Sequence, residues 1–171
     1  MEELSECSLF YKIAIVHISL YPAKVLRSNT RRMADAESPL FCDLCKGIII
    51  TQGGYFAGTA LMLLKGKPTF AYAFSHYPEH KWKIQSAKAL TAGKHTLVMN
   101  FDYAGGGVGK AAKVTLLVDG NTVATGDIPM TVPKRFSADE TLDVGEDFGT
   151  PVNHDYDVPF RFTGKIECKF R

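Results

Sequence analysis

Apolar and polar side chains alternate with a period of two along most of the chain from residue 47 onward. Residues 68–75 show this most clearly, because aromatic side chains at every second position are separated by alanines. Successive side chains of a β-strand point to opposite faces, so this stretch predicts a strand with one aromatic face and one small-residue face. The same alternation predicts strands over residues 48–52, 58–65, 82–86, 94–103, 113–119, 121–127 and 164–170.

Short turn sequences separate the predicted strands. Asp119 and Gly120 form the dipeptide that favours a two-residue hairpin, and Gly66 in KGK can adopt the positive φ that such a turn needs. The strands follow one another at a spacing of about ten residues, and helical periodicity is almost absent. We therefore predict an all-β fold, an antiparallel two-sheet β-sandwich.

The first 46 residues are less regular. The run LFYKIAIVHISL is rich in β-branched and aromatic residues and predicts a strand that ends at Tyr21 and Pro22. Residues 23–46 have a weak pattern that fits a short helix and loop, an insertion or an arm. We expect residues 1–46 to form an N-terminal strand plus an arm or insertion, and residues 47–171 to form the sandwich, in a single domain overall.

The composition is that of an ordinary soluble globular protein, with 46% hydrophobic residues, 22% charged residues and a formal net charge of +2. This balance provides no strong field for nucleic acid or an anionic membrane, and neither is an expected partner. No stretch approaches the ~18 apolar residues of a membrane helix. Glu2 and Glu3 stand where a signal peptide is basic, so the chain reads as cytoplasmic, or as periplasmic or secreted if an exported parent carries it.

Four cysteines are present, at Cys7, Cys42, Cys45 and Cys168. Cys42 and Cys45 form one C-x-x-C, which indicates zinc only when a second ligand pair follows at a suitable spacing, and none does. We expect structural thiols, with a disulfide and a metal or redox role as the alternatives. Cys168 alternates with apolar neighbours, which predicts a small buried side chain on a strand.

Residues 136–162, here called the acidic segment, combine carboxylates with turn-forming and aromatic residues. Ca²⁺ binds six to eight oxygen ligands, and five aspartates make this segment a candidate calcium site: Asp139, Asp143, Asp147, Asp155 and Asp157. Their spacing is not that of an EF-hand, and aspartate also forms turns and surface ion pairs. A structural loop or a docking surface is therefore the alternative, and we expect no cofactor to be required.

Four blocks of sequence lie between residues 47 and 171: GTALMLLKGKPTFAYAF, LTAGKHTLVMNFDYAGGGVGKAAKVTLLVDGNTVATGDIP, TVPKRFSADETLDVGEDFGTPV and VPFRFTGKI. In order and spacing they resemble the C-terminal region of long bacterial arylsulfatases. This resemblance implies a jelly-roll sandwich of the concanavalin or laminin-G type. It also implies a sulfatase catalytic domain as the partner, on which the sandwich would pack.

The motif that performs sulfatase chemistry is missing from the chain. Sulfatases carry C-x-P-S-R or S-x-P-x-R, whose Cys or Ser becomes formylglycine in an α/β domain, and neither motif occurs here. We therefore expect a non-catalytic accessory module. By analogy with the family, its docking loop would contain Asp143, Gly145, Asp147, Gly149, Thr150 and Pro151.

The alternative is a stand-alone, lectin-like module that binds carbohydrate with or without calcium. Tyr55, Tyr77 and Trp82 lie next to predicted turns, where their rings would be accessible for stacking on a sugar. Aromatic residues also dominate sandwich cores, so a packing role remains open for them. His76 and His80 flank Pro78, and we expect them to be exposed loop residues rather than metal ligands.

Overall fold

The computed structural model of the protein describes residues 13–21, 45–133, 136, 140 and 142–168. These residues contain ten β-strands and no α-helix. The strands are β1 (Ile13–Leu20), β2 (Gly47–Gly53), β3 (Gly58–Leu64), β4 (Lys67–Ala73), β5 (Lys81–Gln85), β6 (Gly93–Tyr103), β7 (Ala112–Val118), β8 (Asn121–Ile128), β9 (Leu142–Val144) and β10 (Lys165–Cys168). A short 3₁₀ turn at Pro78–His80 leads into β5.

The strands form two five-stranded sheets. The first sheet has the order β10-β1-β6-β7-β8 and the second has the order β5-β4-β3-β2-β9. Every pairing is antiparallel. The predicted antiparallel two-sheet sandwich is therefore confirmed. The N-terminal strand β1 lies inside the first sheet, between β10 and β6, so it pairs with strands from the second half of the chain.

Two tight hairpins have the predicted turn chemistry. Asp119 and Gly120 join β7 to β8 with φ values of 49° and 82°, and Lys65 and Gly66 join β3 to β4 with φ values of 50° and 72°. Positive φ at both central residues defines the turn whose twist matches that of paired strands. The turns therefore set the registers of these hairpins, in which Val118 pairs with Asn121 and Leu64 with Lys67.

The main hydrophobic core contains buried side chains from both sheets, which places it between them. Phe70 and Tyr72 are 2% exposed and supply the predicted aromatic face of β4. The first sheet contributes aliphatic residues: Val16, Ile18, Leu20, Leu97, Met99, Val114, Leu116 and Val118. At about 0.8 kcal/mol per buried methylene group, this layer is a main source of folding free energy.

A second buried cluster covers the opposite face of the second sheet. Ala71 and Ala73, the predicted small-residue face of β4, pack there with Val152, Tyr156 and other apolar side chains. Alanine leaves room close to the sheet, and the second half of the acidic segment occupies that space. The second half of the acidic segment is therefore part of the folded structure.

Two sequence-based expectations need correction or completion. Strand β9 was not predicted, and its three residues pair with β2. Cys45 is disulfide-bonded, so the expected free thiol is wrong at this position. Cys7, Cys42 and the Cys168 side chain lie outside the described part of the chain. Among the described residues, no helix is long and apolar enough to cross a membrane.

Candidate functional site

The acidic segment is anchored by a buried carboxylate. Asp147 is only 1% exposed. The hydroxyl of Tyr156 donates to its Oδ2 at 2.7 Å, and the N–H of Gly149 donates to its Oδ1 at 3.1 Å. The Tyr156 hydroxyl in turn accepts a hydrogen bond from the N–H of Val152 at 3.0 Å. Asp147 was predicted to be a docking residue, but its side chain faces the interior and organises the loop.

Burial also changes the acid–base properties of this pair. Loss of hydration raises the pKa of Asp147, against the hydrogen bonds from Tyr156 and Gly149, and the nearby carboxylates of Glu140 and Asp143 raise it further. Burial likewise raises the pKa of Tyr156, and the neighbouring carboxylate of Asp147 raises it further because it disfavours a phenolate. Tyr156 therefore stays a hydrogen-bond donor at any ordinary pH.

A second carboxylate ties the segment to the turn between β2 and β3. Glu140 Oε1 accepts hydrogen bonds from the N–H of Thr150 at 3.1 Å and from its hydroxyl at 2.5 Å. The Thr150 hydroxyl oxygen accepts a further bond from the N–H of Tyr55 at 3.0 Å. A Cβ atom on Gly54 would collide with the Glu140 carboxylate, so glycine is needed there. Thr150, a predicted docking residue, thus lies at the surface and also connects two loops.

The remaining predicted docking residues line the border between the segment and the second sheet. The N–H of Gly145 donates to the carbonyl of Ile49 at 3.1 Å, and its own carbonyl accepts from Phe162 at 2.8 Å. Asp143 and Pro151 are half-buried, and Gly149 is exposed. The backbone of the segment is therefore held on both sides.

Three apolar side chains of the acidic segment are exposed to solvent. Leu142 is 49% exposed, Val144 is 45% exposed and Phe148 is 69% exposed. Leu142 and Val144 are two residues apart on β9, so they lie on the same face of that strand. Their apolar character predicts that they help to tie the segment onto a core, but in the structure they are exposed.

Only part of the candidate calcium set is seen close together, since the Asp143 carboxylate lies near Asp147. Asp155 accepts a hydrogen bond from Lys83 at 2.9 Å and another from Asn153 at 2.6 Å, and both Asp147 oxygens have protein donors. No group of three or more His, Cys, Asp or Glu side chains able to hold a metal ion occurs in the described part of the chain. Asp157 is exposed, and Asp139 lies outside the described residues. Calcium binding by the acidic segment therefore stays a prediction.

Aromatic rings form a continuous exposed surface beside the acidic segment. We define the aromatic ridge as Tyr55, Phe56, His76 and Tyr77. Ring centroids are 5.8 Å apart between Tyr55 and Phe56, 5.8 Å between Phe56 and His76, and 3.9 Å between His76 and Tyr77. Phe56 is 68% exposed and Tyr77 is 51% exposed. Two residues predicted to bind a ligand, Tyr55 and Tyr77, thus belong to one surface, and Phe56 lies between them.

Lys81 and His154 support the ridge from one side. The ammonium group of Lys81 donates to the carbonyls of Tyr55 at 3.0 Å and Val152 at 2.9 Å, and it lies 3.5 Å from the centroid of the Tyr55 ring. His154 Nε2 is 3.3 Å from the Tyr55 hydroxyl. Burial lowers the pKa of Lys81 to about 8. The lysine therefore joins the ridge to the acidic segment.

Trp82 does not belong to the aromatic ridge. It contacts Tyr72, at a centroid separation of 6.2 Å, and packs against the main core between the sheets. Its neighbour Lys81 points to the opposite face of β5, where Tyr55 lies. The predicted set of three aromatic residues is therefore divided between two faces of the second sheet. The alternation of Trp82 with buried Ile84 was the signal for this division.

Comparisons with known proteins give a fold similarity and no family. No protein-family model matches the chain, and no curated protein matches it. Among solved structures the chain is similar to the mouse laminin alpha1 chain, domains LG4-5, with 16% sequence identity and a TM-score of 0.48. The match covers 91% of this chain and 34% of the laminin chain, so the protein spans about a third of that chain's length.

The described residues form an antiparallel β-sandwich, because two five-stranded antiparallel sheets enclose the main core.

Proposed function

We propose that the chain is a non-catalytic accessory module, of the type at the C-terminus of long bacterial arylsulfatases, that packs on a sulfatase catalytic domain. The observation that carries this proposal is the apolar surface on β9 and the loop that follows it, here called the docking surface: Leu142, Val144 and Phe148. Exposed apolar patches with polar rims are typical of interaction sites. The sequence resemblance supplies the identity of the partner.

The position and rim of the docking surface suit an interface. In the described part of the chain, β9 is the last strand of the second sheet and pairs only with β2. Beside it, Arg161 forms an ion pair with Glu146 at 2.7 Å. Aliphatic and aromatic side chains surrounded by charged residues resemble the core and rim of a protein interface.

Rigidity of the surrounding loop favours association. The hydrogen bond from the N–H of Gly149 to the Asp147 carboxylate spans Phe148, and the bonds of Gly145 fix the preceding turn, before any partner arrives. Binding by such a surface loses less conformational entropy than binding by a mobile loop. Asp147 thus acts as a positioning residue for the docking surface.

The proposal is tested by co-expressing the chain with the α/β catalytic domain of a long bacterial arylsulfatase from which its own C-terminal region has been removed. We expect the two to co-purify, and Leu142→Asp combined with Val144→Asp to abolish the complex. Val108→Asp is the matched control, because Val108 is 74% exposed on a different loop. Absence of a wild-type complex, or a complex that the double variant leaves intact, would contradict the proposal.

A second candidate function is lectin-like carbohydrate binding by the aromatic ridge. It is supported by the exposed rings of Phe56 and Tyr77, which stand beside the hydrogen-bonding groups of His76 and His154. Stacking on exposed rings and bonding to neighbouring polar groups is the chemistry that pyranose recognition requires.

A glycan array separates the two candidates. Carbohydrate binding that is lost in both Phe56→Ala and Tyr77→Ala, and kept in Phe148→Ala, would favour the lectin-like function. Repeating the array with a chelator tests whether calcium takes part. An array without signal would exclude this candidate.

A further inference from the structure

The end strands of the two sheets approach each other closely. In the described part of the chain, β5 is the last strand of the second sheet and β8 the last strand of the first. Gly126 of β8 faces Ile84 of β5, and a Cβ atom on Gly126 would collide with the Ile84 side chain. Glycine at this position therefore permits an approach that no other residue allows.

A groove lies along this junction, here called the edge groove. It encloses about 420 Å³ and is lined by Trp82, Lys83, Ile84, Gln85, Ala124, Thr125, Gly126 and Asp127. Small-molecule sites have volumes of about 300–1,000 Å³. The edge groove is thus large enough for a short oligosaccharide unit or a few residues of extended peptide.

The floor and the walls of the edge groove differ in chemistry. Trp82, Ile84 and Ala124 belong to or pack against the main core, so their side chains form an apolar floor. Lys83 and Gln85 point their side chains away, toward Asp155 and Thr69. What these two residues present to the groove is therefore their backbone.

The backbone groups on the β5 side face the groove with their hydrogen-bonding atoms. Just outside β5, the N–H of Phe74 donates to the carbonyl of His80 and the N–H of Ser86 donates to the carbonyl of Pro68, each at 2.9 Å. Hydrogen-bonded and non-hydrogen-bonded residue pairs alternate along two antiparallel strands. Since His80 and Ser86 bond to β4 and its flank, the even-numbered residues between them, Trp82 and Ile84, also bond to β4. The peptide groups of Lys83 and Gln85 consequently point toward the groove, with donors and acceptors intermingled.

We propose that the edge groove is a binding site for a short neutral saccharide. Each sugar hydroxyl both donates and accepts hydrogen bonds, so a polyol can match a wall of mixed N–H and C=O groups. The C–H face of the sugar ring would rest on the apolar floor at Trp82. This site is separate from the aromatic ridge and does not depend on docking to a sulfatase domain.

An extended peptide added to a strand edge fits the groove less well. The pairing of β7 with β8 shifts register between Leu116 and Leu117, which breaks the regular spacing on the β8 side. A saccharide needs no continuous register and is compatible with this irregularity.

The test is an NMR titration of the ¹⁵N-labelled full chain with maltose, cellobiose and lactose. We expect at least one of the disaccharides to shift the amide signals of residues 82–85 and 124–127 in a saturable manner. Trp82→Phe, which keeps an aromatic ring against Tyr72 but shortens the floor, should weaken binding about fivefold. Val108→Ala is the matched control, because Val108 is 74% exposed on a different loop, and it should leave the affinity unchanged.

The other outcomes each overturn the proposal. Shifts confined to residues 54–56 and 76–77 would place the saccharide on the aromatic ridge. Shifts at the edge groove with an acetylated tetrapeptide of alternating threonine and valine, but with none of the disaccharides, would identify a strand-binding edge. A spectrum unchanged by all these probes would show that the groove is not a site for them.

Discussion

The bond between Tyr156 and Asp147 predicts a large effect from the loss of one oxygen atom. In Tyr156→Phe the ring remains stacked on Phe160, at a centroid separation of 4.9 Å, while the hydroxyl that serves both Asp147 and Val152 is removed. A buried group left without its hydrogen bond costs about 1–3 kcal/mol, and more when the group is charged. Because two buried groups lose their partner, we expect the free energy of unfolding to fall by about 3 kcal/mol.

Urea unfolding followed by tryptophan fluorescence measures this loss, since Trp82 is the only tryptophan in the chain. A calorimetric scan should show a melting temperature lower by about 6–12 °C, as expected for a protein of this size. Tyr77→Phe is the control, because that side chain is half exposed and its substitution should change the unfolding free energy by less than about 0.5 kcal/mol. If Tyr156→Phe were as stable as Tyr77→Phe, the buried network would not anchor the acidic segment.

Three further predictions follow from charges and glycines. The raised pKa of Asp147 means that its ionisation opposes folding. The stability of Asp147→Asn relative to wild type should therefore increase as the pH rises from below 3.8 toward neutrality. Urea unfolding midpoints of both proteins at several pH values measure this difference in stability, and a difference that stays constant with pH would refute the prediction. Burial lowers the pKa of Lys81 from 10.5 to about 8, so an NMR titration of its side chain should have a midpoint near 8. Between these two pH values Lys81 is protonated only in the unfolded chain, so its contribution to stability should increase as the pH rises. A midpoint near 10.5 would contradict the burial argument. Gly47 and Gly93 both have positive φ, but a Cβ atom would collide with the Arg161 backbone only at Gly47. Gly93→Ala should cost about 1–2 kcal/mol and Gly47→Ala more than about 3 kcal/mol, and equal unfolding free energies would refute the packing argument.

Sequence patterns predicted the strands and hairpins because their signals are local. The alternation along β4 determines which side chains face each cluster, and Asp119-Gly120 determines a turn through two residues. Pairing between distant strands has no such local signal. The position of β1 between β10 and β6, and the three-residue strand β9, arise from contacts across the whole chain.

The candidate site was less predictable than the fold. Asp147 looks like any surface aspartate in the sequence, and its burial depends on Tyr156, nine residues away, when the segment folds over the alanine face of β4. The alternation of side chains along β5 places Trp82 on the same face as buried Ile84. This pattern in the sequence was enough to predict that Trp82 faces the core and not the surface where Tyr55 lies. The contact between Phe56 and His76 joins two different turns, so only the folded chain shows it.

The most direct test of the accessory-module proposal is isothermal titration calorimetry of the wild-type chain with a sulfatase catalytic domain that lacks its own C-terminal region. The account predicts saturable one-to-one binding with a negative heat-capacity change, the signature of apolar burial. Replacing Leu142 and Val144 by aspartate should weaken binding more than tenfold, equivalent to a loss of over about 1.4 kcal/mol. No heat of binding for the wild type, or equal affinity for the variant, would contradict the account.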